Sequence, residues 1–297
     1  MKILATSLAA LAVPGLALAS DLTVATAAGE VAVAAQPETV VALDLAAIDA
    51  LDALGVELAG VPEITPPAYL EAAMEDVERV GTLFEPDYEA LAVMAPDLIV
   101  AGGRSQSVVE PLSAVAPTID MTIWGEDLIG QAKARVATYG AIFDRSDAAA
   151  ELTGALDDKL ATVQDTVTDK GAALILLTNG GKVSAYGADS RFGWLHAALD
   201  LPEAYPDLDA ETHGEAVSFE FISEVDPDWI IVIDRGAAIG QDGEAAQATL
   251  DNPLVAGTKA AQNDQILYLD SAPLYLAGGG IQSLMGTLGE IEAGFSK

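Results

Sequence analysis

The sequence predicts an α/β protein of two lobes, each with a central, mostly parallel sheet and flanking helices, joined by one long helix. Three observations carry this reading. The stretch 217–235, VSFEFISEVDPDWIIVIDR, repeats an earlier one, 86–104, PDYEALAVMAPDLIVAGGR. Aligning Glu89 with Glu220 places Pro96 on Pro227, Asp97 on Asp228 and Arg104 on Arg235. Each copy reads as a short helix opened by an acid, a Pro-Asp turn, an apolar strand and an arginine past the strand's end, and such a long internal repeat implies two similar units. Apolar strand-like runs also alternate with helical patterns on both sides of the chain's middle. Between the copies, 126–169 carries helical periodicity only. The expected division is a signal peptide at 1–19, an N-terminal lobe at 20–143, a connecting helix at 144–170 and a C-terminal lobe at 171–297.

The elements follow in order. Alternation of small and apolar residues around Gly29 predicts a hairpin over 22–35. An apolar strand at 39–43 leads into a helix at 44–54 ended by Gly55. A strand at 57–61 stops at Pro62, and 69–74 is helical. The first repeat copy supplies a helix at 88–94 and a strand at 98–101. A helix at 107–115 and a strand at 118–123 complete the first lobe. Helices follow at 126–143 and at 146–169, the second with Ser146 and Asp147 as N-cap candidates and Gly171 at its end. The second lobe opens with a strand at 172–177, a turn at Asn179-Gly180-Gly181 and a return at 182–186. A helix at 191–199 and a polar loop at 207–217 precede the second copy. Mixed helix and loop over 252–262, a strand at 265–269 and a final helix after Gly278–Gly280 end the chain. The glycine run lacks the lysine or Gly-x-Gly-x-x-Gly spacing of a phosphate cradle.

Composition bounds the function. A chain of 297 residues can hold two cores. Its 46 acids against 13 bases give a formal charge of −33. That argues against nucleic acid and against an anionic membrane surface as partners. With 51% of residues apolar, acidity implies a solvated surface and not disorder. There is no cysteine, hence no disulfide, thiolate metal site, cysteine nucleophile or lipid attachment after a cleavage site. Residues 1–20, with an early lysine, an apolar run broken by Pro14 and Gly15, and Ala17-Leu18-Ala19, read as a secretory signal cut after Ala19. A soluble periplasmic monomer is expected.

Few residues carry chemistry. Of six arginines, Arg104 and Arg235 lie past strand ends, where open α/β sheets bind ligands. Arg191 sits at a loop-to-helix start. Three such arginines in so acidic a chain point to an anionic ligand, because guanidinium donors match paired oxygens; local salt bridging is the competing reading. His196 falls among apolar helical residues and reads as packing. His213 lies in a polar loop, where a surface role and a ligand role both remain open. Tyr275, in a glycine-rich loop after the last strand, reads by itself as a packing aromatic. Glu89 and Glu220 open equivalent helices, where acids favour the helix dipole.

The segments 187–193 (GADSRFG), 212–220 (THGEAVSFE), 232–235 (VIDR), 252–262 (NPLVAGTKAAQ) and 267–278 resemble periplasmic ferric-siderophore-binding proteins. These are helix-linked receptors of ABC importers, in the branch that takes catecholate siderophores. The resemblance spans the mature chain and is densest in the second lobe. It implies that Arg104, Arg191 and Arg235 line the cleft and meet catecholate oxygens. It implies that His213 and Tyr275 complete the iron sphere when the siderophore leaves positions open, and that Glu89 and Glu220 dock to arginines of a permease. No permanent cofactor is expected; Fe(III) arrives inside the siderophore complex. The chemistry is consistent: Fe(III) is hard and takes oxygen donors with imidazole, and its charge favours a phenolate. Two other classes compete. A hydrolase lacks a Gly-x-Ser-x-Gly elbow and a serine–acid pair for either histidine, so no enzyme is expected. A haem or cobalamin receptor of the same fold would not need three arginines.

Overall fold

The computed structural model describes residues 21–297 apart from 124, 126, 209–213, 242 and 244. The expected signal peptide lies outside the described residues. An antiparallel hairpin, β1 (Asp21–Thr26) and β2 (Gly29–Ala34), opens the chain. The first sheet holds β3 (Val40–Ala42), β4 (Gly60–Val61), β5 (Glu78–Arg79), β6 (Leu98–Ala101) and β7 (Thr118–Asp120). Its order is β5-β4-β3-β6-β7 and every pairing is parallel. The second sheet holds β8 (Ala173–Asn179), β9 (Lys182–Tyr186), β10 (Glu215–Val217), β11 (Trp229–Asp234) and β12 (Ile266–Tyr268). Its order is β10-β9-β8-β11-β12, with β8, β11 and β12 parallel and β9 and β10 antiparallel. The helices used below are α1 (Leu45–Ala53), α2 (Tyr88–Met94), α3 (Leu128–Ile142), α4 (Ser146–Val167), α5 (Phe219–Val225), α6 (Ser271–Leu276) and α7 (Ile281–Phe295).

The internal repeat has an atomic counterpart. Asp97 accepts from the Thr39 N–H at 2.8 Å and sends its own N–H to the Thr39 carbonyl at 2.8 Å. Asp228 accepts from the Ala172 N–H at 3.0 Å and returns its N–H to the Ala172 carbonyl at 3.1 Å. Each aspartate thereby ties the start of its strand to the neighbouring parallel strand and sets the register: Leu98 opposite Val40, Trp229 opposite Ala173. Both preceding helices end in a left-handed residue, Ala95 and Asp226. The helix–turn–strand pattern read from the repeat is therefore one hydrogen-bonding unit used twice.

Three local expectations are corrected. The polar stretch 207–217 ends in β10, which pairs with β9 through only three residues; its burial is too slight to leave an apolar signature. The strand expected over 118–123 stops at Asp120, whose carboxylate accepts the Thr122 N–H and turns the chain away. Ser146 is the first helical residue of α4, with Arg145 in the capping position.

The last helix joins the two halves. One apolar core runs from Ile48 and Leu51 of α1 through Leu156 and Val163 of α4 to Leu284 and Leu288 of α7. At its edge the carboxylate of Asp49, fully buried, accepts the N–H groups of Gln282 (2.8 Å) and Ser283 (2.9 Å) and the Tyr69 hydroxyl (2.6 Å). It occupies the N-terminus of α7 and satisfies donors that the helix itself cannot. Burial nevertheless pushes the Asp49 carboxyl up from 3.8 to about 6. A group held above its unfolded value takes up its proton in the folded chain first. Its stabilising contribution therefore grows as pH falls from about 6 toward 4 and is absent above. We expect the stability of wild type relative to Asp49→Asn to rise on acidification over that window, by up to about 3 kcal/mol. Thermal melts from pH 4 to 7 measure it, and a gap independent of pH would show that Asp49 does not titrate there.

Candidate functional site

β6 and β11 each run into an arginine past their carboxyl ends, and three arginines from three elements come together at Tyr275. Arg104 follows β6 in a tight turn, Gly103–Val108, which the Gly103 N–H secures to the Thr122 hydroxyl at 3.0 Å. Arg191 projects from the knot formed by 187–193. Ser190 closes this knot on the Gly187 carbonyl through its N–H (3.1 Å) and its hydroxyl (2.6 Å). Gly193 completes it, and a Cβ there would lie 1.8 Å from the Ala188 carbonyl oxygen, so only glycine fits. Arg235 is the first residue of the turn after β11, capped by Asp234.

All three guanidiniums converge on Tyr275. Arg104 crosses from the first lobe, donating Nη2 to the Tyr275 carbonyl at 2.8 Å and Nη1 to the Leu276 carbonyl at 3.2 Å. Arg191 donates Nη2 to the same Tyr275 carbonyl at 3.1 Å, and its guanidinium lies 4.6 Å from the Tyr275 ring and 4.5 Å from the Phe192 ring. Arg235 donates Nε to the Tyr275 hydroxyl at 3.1 Å and Nη1 to the Asn179 side-chain oxygen at 3.3 Å. Among the described residues, the ion pairs within 4.0 Å all use lysines. Local salt bridging thus does not account for these arginines. The acid nearest to them in effect is Asp44, the N-cap of α1, whose carboxyl burial pushes up to about 6 against the pull of its backbone donors and of Arg104.

The electrostatics follow from this crowding. Burial, and then the charge of Arg104, lowers the Arg191 pKa. Burial pushes the Tyr275 phenol up, but the Arg235 hydrogen bond and the three guanidiniums together outweigh it and hold the phenol below the ordinary tyrosine value. The cleft is therefore a concentrated positive site around a phenol biased toward its anion. Guanidinium donors beside a phenol oxygen suit an anionic ligand that carries a hard cation.

Tyr275 stands on α6, one residue before its end, and not in the glycine loop read from the sequence; that loop begins at Gly278. His213 lies outside the described residues. His196 is buried, with Nδ1 2.9 Å from the Leu201 carbonyl oxygen, in keeping with a packing role. Glu89 and Glu220 are exposed on the first turns of α2 and α5. The sequence reading missed Asn179 and Asp44 as cleft residues. Both had been read only as a turn residue and a helix opener, although their places at strand ends carry the same signal that singled out the arginines.

The model of the periplasmic binding protein family matches residues 40–273. The petrobactin-binding protein YclQ of Bacillus subtilis is 36% identical over 265 residues, covering 88% of this chain and 83% of the relative. Its crystal structure superposes with a TM-score of 0.88 at 34% identity, over 94% of this chain and 99% of that one. The siderophore-binding protein BauB, solved with two molecules of acinetobactin and ferric iron, gives a TM-score of 0.85 at 30% identity, over 93% and 99% of the two chains. The periplasmic catecholate-siderophore-binding protein VctP of Vibrio cholerae gives 0.85 at 28% identity, over 92% and 100%. In sequence and in its two-lobe α/β architecture, this chain belongs to the periplasmic binding protein family.

Proposed function

We propose that the protein is the receptor of an ABC importer that holds an Fe(III)–siderophore complex of the catecholate type between its lobes. The observation that carries this is the convergence of Arg104, Arg191 and Arg235 on Tyr275 without a carboxylate partner within 4.0 Å among the described residues. A catecholate carries two adjacent anionic oxygens, which a planar guanidinium meets with paired donors. The strongly acidic chain does not oppose this, because the field inside the cleft governs binding there. The similarity to the petrobactin-binding YclQ, the siderophore-binding BauB and the catecholate-siderophore-binding VctP supports the reading. Within it, Tyr275 and His213 supply iron ligands when the siderophore leaves positions open. The mature receptor is a periplasmic monomer beginning near Ser20, with lobes at 20–143 and 171–297 joined through 144–170.

Fluorescence-quenching titrations with ferric catecholate, hydroxamate and citrate complexes test the ligand class. Tightest binding of the catecholates, with broad visible charge-transfer absorption, is expected. A sharp Soret band on haem addition with no catecholate binding would replace this reading by a haem receptor.

Glu89 and Glu220 serve in this reading as the docking acids, one per lobe. Hydrogen bonds from its own backbone N–H and from the Ser218 hydroxyl hold the Glu220 carboxyl below the usual glutamate value, so it is charged at any physiological pH. Single exposed ion pairs contribute little, so the double change matters more than either alone. Glu89→Ala with Glu220→Ala is expected to abolish iron uptake and leave ligand affinity unchanged. Normal uptake by the double variant would remove these acids from docking.

A further inference from the structure

The described residues leave five large hydrophobic side chains exposed, and all five border the two helices that carry Glu89 and Glu220. In the first lobe they are Phe84 (62% exposed), Tyr88 (38%) and Val93 (83%). Tyr88 precedes Glu89 on α2, and Val93 lies four residues after it, on the same helix face. Phe84 is displayed by a tight turn: Gly81 bridges Pro86, the Thr82 N–H meets the Glu85 carbonyl at 3.0 Å, and the Thr82 hydroxyl accepts the Phe84 and Glu85 N–H groups. Gly81 has φ +85°, and a Cβ there would lie 2.4 Å from the Asp87 nitrogen, so the turn is built and not slack. In the second lobe they are Tyr205 (38%) and Leu254 (37%). Tyr205 packs edge-on against Phe221, the neighbour of Glu220, at 5.1 Å, and Leu254 sits on the short helix Pro253–Ala256 that packs against α5.

Single exposed hydrophobics need no explanation, but their confinement to the neighbourhoods of these two helices does. We infer that these side chains form apolar rims around Glu89 and Glu220, and that the two rimmed acids together bind one partner, the membrane-embedded permease. The inference rests on the docking role proposed above and adds the source of its affinity. An exposed ion pair alone is weak, whereas apolar neighbours that bury on contact exclude water and strengthen it. The partner must therefore present two basic side chains, each bordered by apolar ones. A chain of formal charge −33 favours such a basic face over a second copy of itself. The rims also differ, with the more exposed one in the first lobe.

The test keeps both glutamates and changes the rims: Phe84→Ser with Val93→Ser in the first lobe, Leu254→Ser in the second. Binding to the permease in lipid nanodiscs is measured across a salt series, beside ferric-catecholate affinity and melting temperature. Each rim variant is expected to weaken docking about tenfold, with ligand affinity and salt slope unchanged, and the first-lobe pair should weaken it more. Glu89→Gln with Glu220→Gln should instead flatten the salt slope. If the serine pair lowers the melting temperature, Val93→Gln alone, at the most exposed position, gives the reading. Unchanged docking in the rim variants, with loss in the glutamate variant, would overturn the rims and leave the docking acids. Unchanged docking in all would overturn both. A wild-type dimer that the serine pair dissociates would make the surface a self-interface and overturn the permease as its occupant.

Discussion

Arg191→Ala and Arg235→Ala are each expected to weaken binding of a ferric catecholate by about 1.5–3 kcal/mol, the scale of a hydrogen bond to a charged group, or roughly ten- to a hundredfold. Arg235 already reaches the Tyr275 hydroxyl with Nε and the Asn179 side chain with Nη1, which orients its remaining donors without a conformational search. Arg191 is held against two aromatic rings and beside the like charge of Arg104, and that repulsion lowers its pKa after burial does. An anion placed between them relieves the repulsion, so its binding gains more than contact alone supplies. Lysine at either position should rescue part of the loss, because it restores charge but not the planar fork. Arg104→Ala should behave differently. Two of its donors span the cleft to the Tyr275 and Leu276 carbonyls, so the substitution also loosens the apposition of the lobes. Titration of the variants by fluorescence quenching measures these losses. Unchanged affinity in both the Arg191 and Arg235 variants would take these residues out of the site.

Much of this architecture was legible because it is repeated. The offset between Asp97 and Asp228 encodes the same pair of backbone bonds, to Thr39 and to Ala172, and so both sheets could be placed from a single pattern. Arg104 and Arg235 were legible for the same reason: position relative to a strand end is a local property. Tyr275 was visible only through the family resemblance. Its own surroundings, Pro273 and the following glycines, disguise a helix of six residues, too short for its periodicity to register. Asp49 was not legible at all. It reads as one more acid on α1, and its partners Gln282 and Ser283 lie over 230 positions away in sequence. The convergence of three guanidiniums on one carbonyl and one phenol is likewise a tertiary fact, since Arg104 and Tyr275 share no local pattern.

His213→Ala combined with Tyr275→Phe is expected to separate siderophores by denticity, and the comparison isolates coordination from packing. A tetradentate bis-catecholate leaves two positions on Fe(III) for protein donors, whereas a hexadentate tris-catecholate leaves none. The Tyr275 hydroxyl also accepts from Arg235, so removing it frees that donor whatever the ligand. This side effect falls on both complexes alike. The excess loss for the tetradentate complex therefore reports the lost iron ligands, and we expect it to reach roughly 10- to 100-fold, the scale on which even the groups supporting a metal's ligands act. The guanidiniums around the phenol hold it below the ordinary tyrosine value, and the charge of a bound Fe(III) would favour the phenolate further. The tyrosinate-to-iron contribution should accordingly vanish from the visible spectrum of the variant's tetradentate complex. Wild-type affinity for that complex should fall as pH drops through the histidine range near 6.5, because a protonated imidazole cannot ligate iron. The hexadentate complex should show a much flatter profile over the same range. Affinities of wild type and double variant for the two complexes at neutral pH decide the matter. Equal losses would mean that these side chains shape the cleft without coordinating iron.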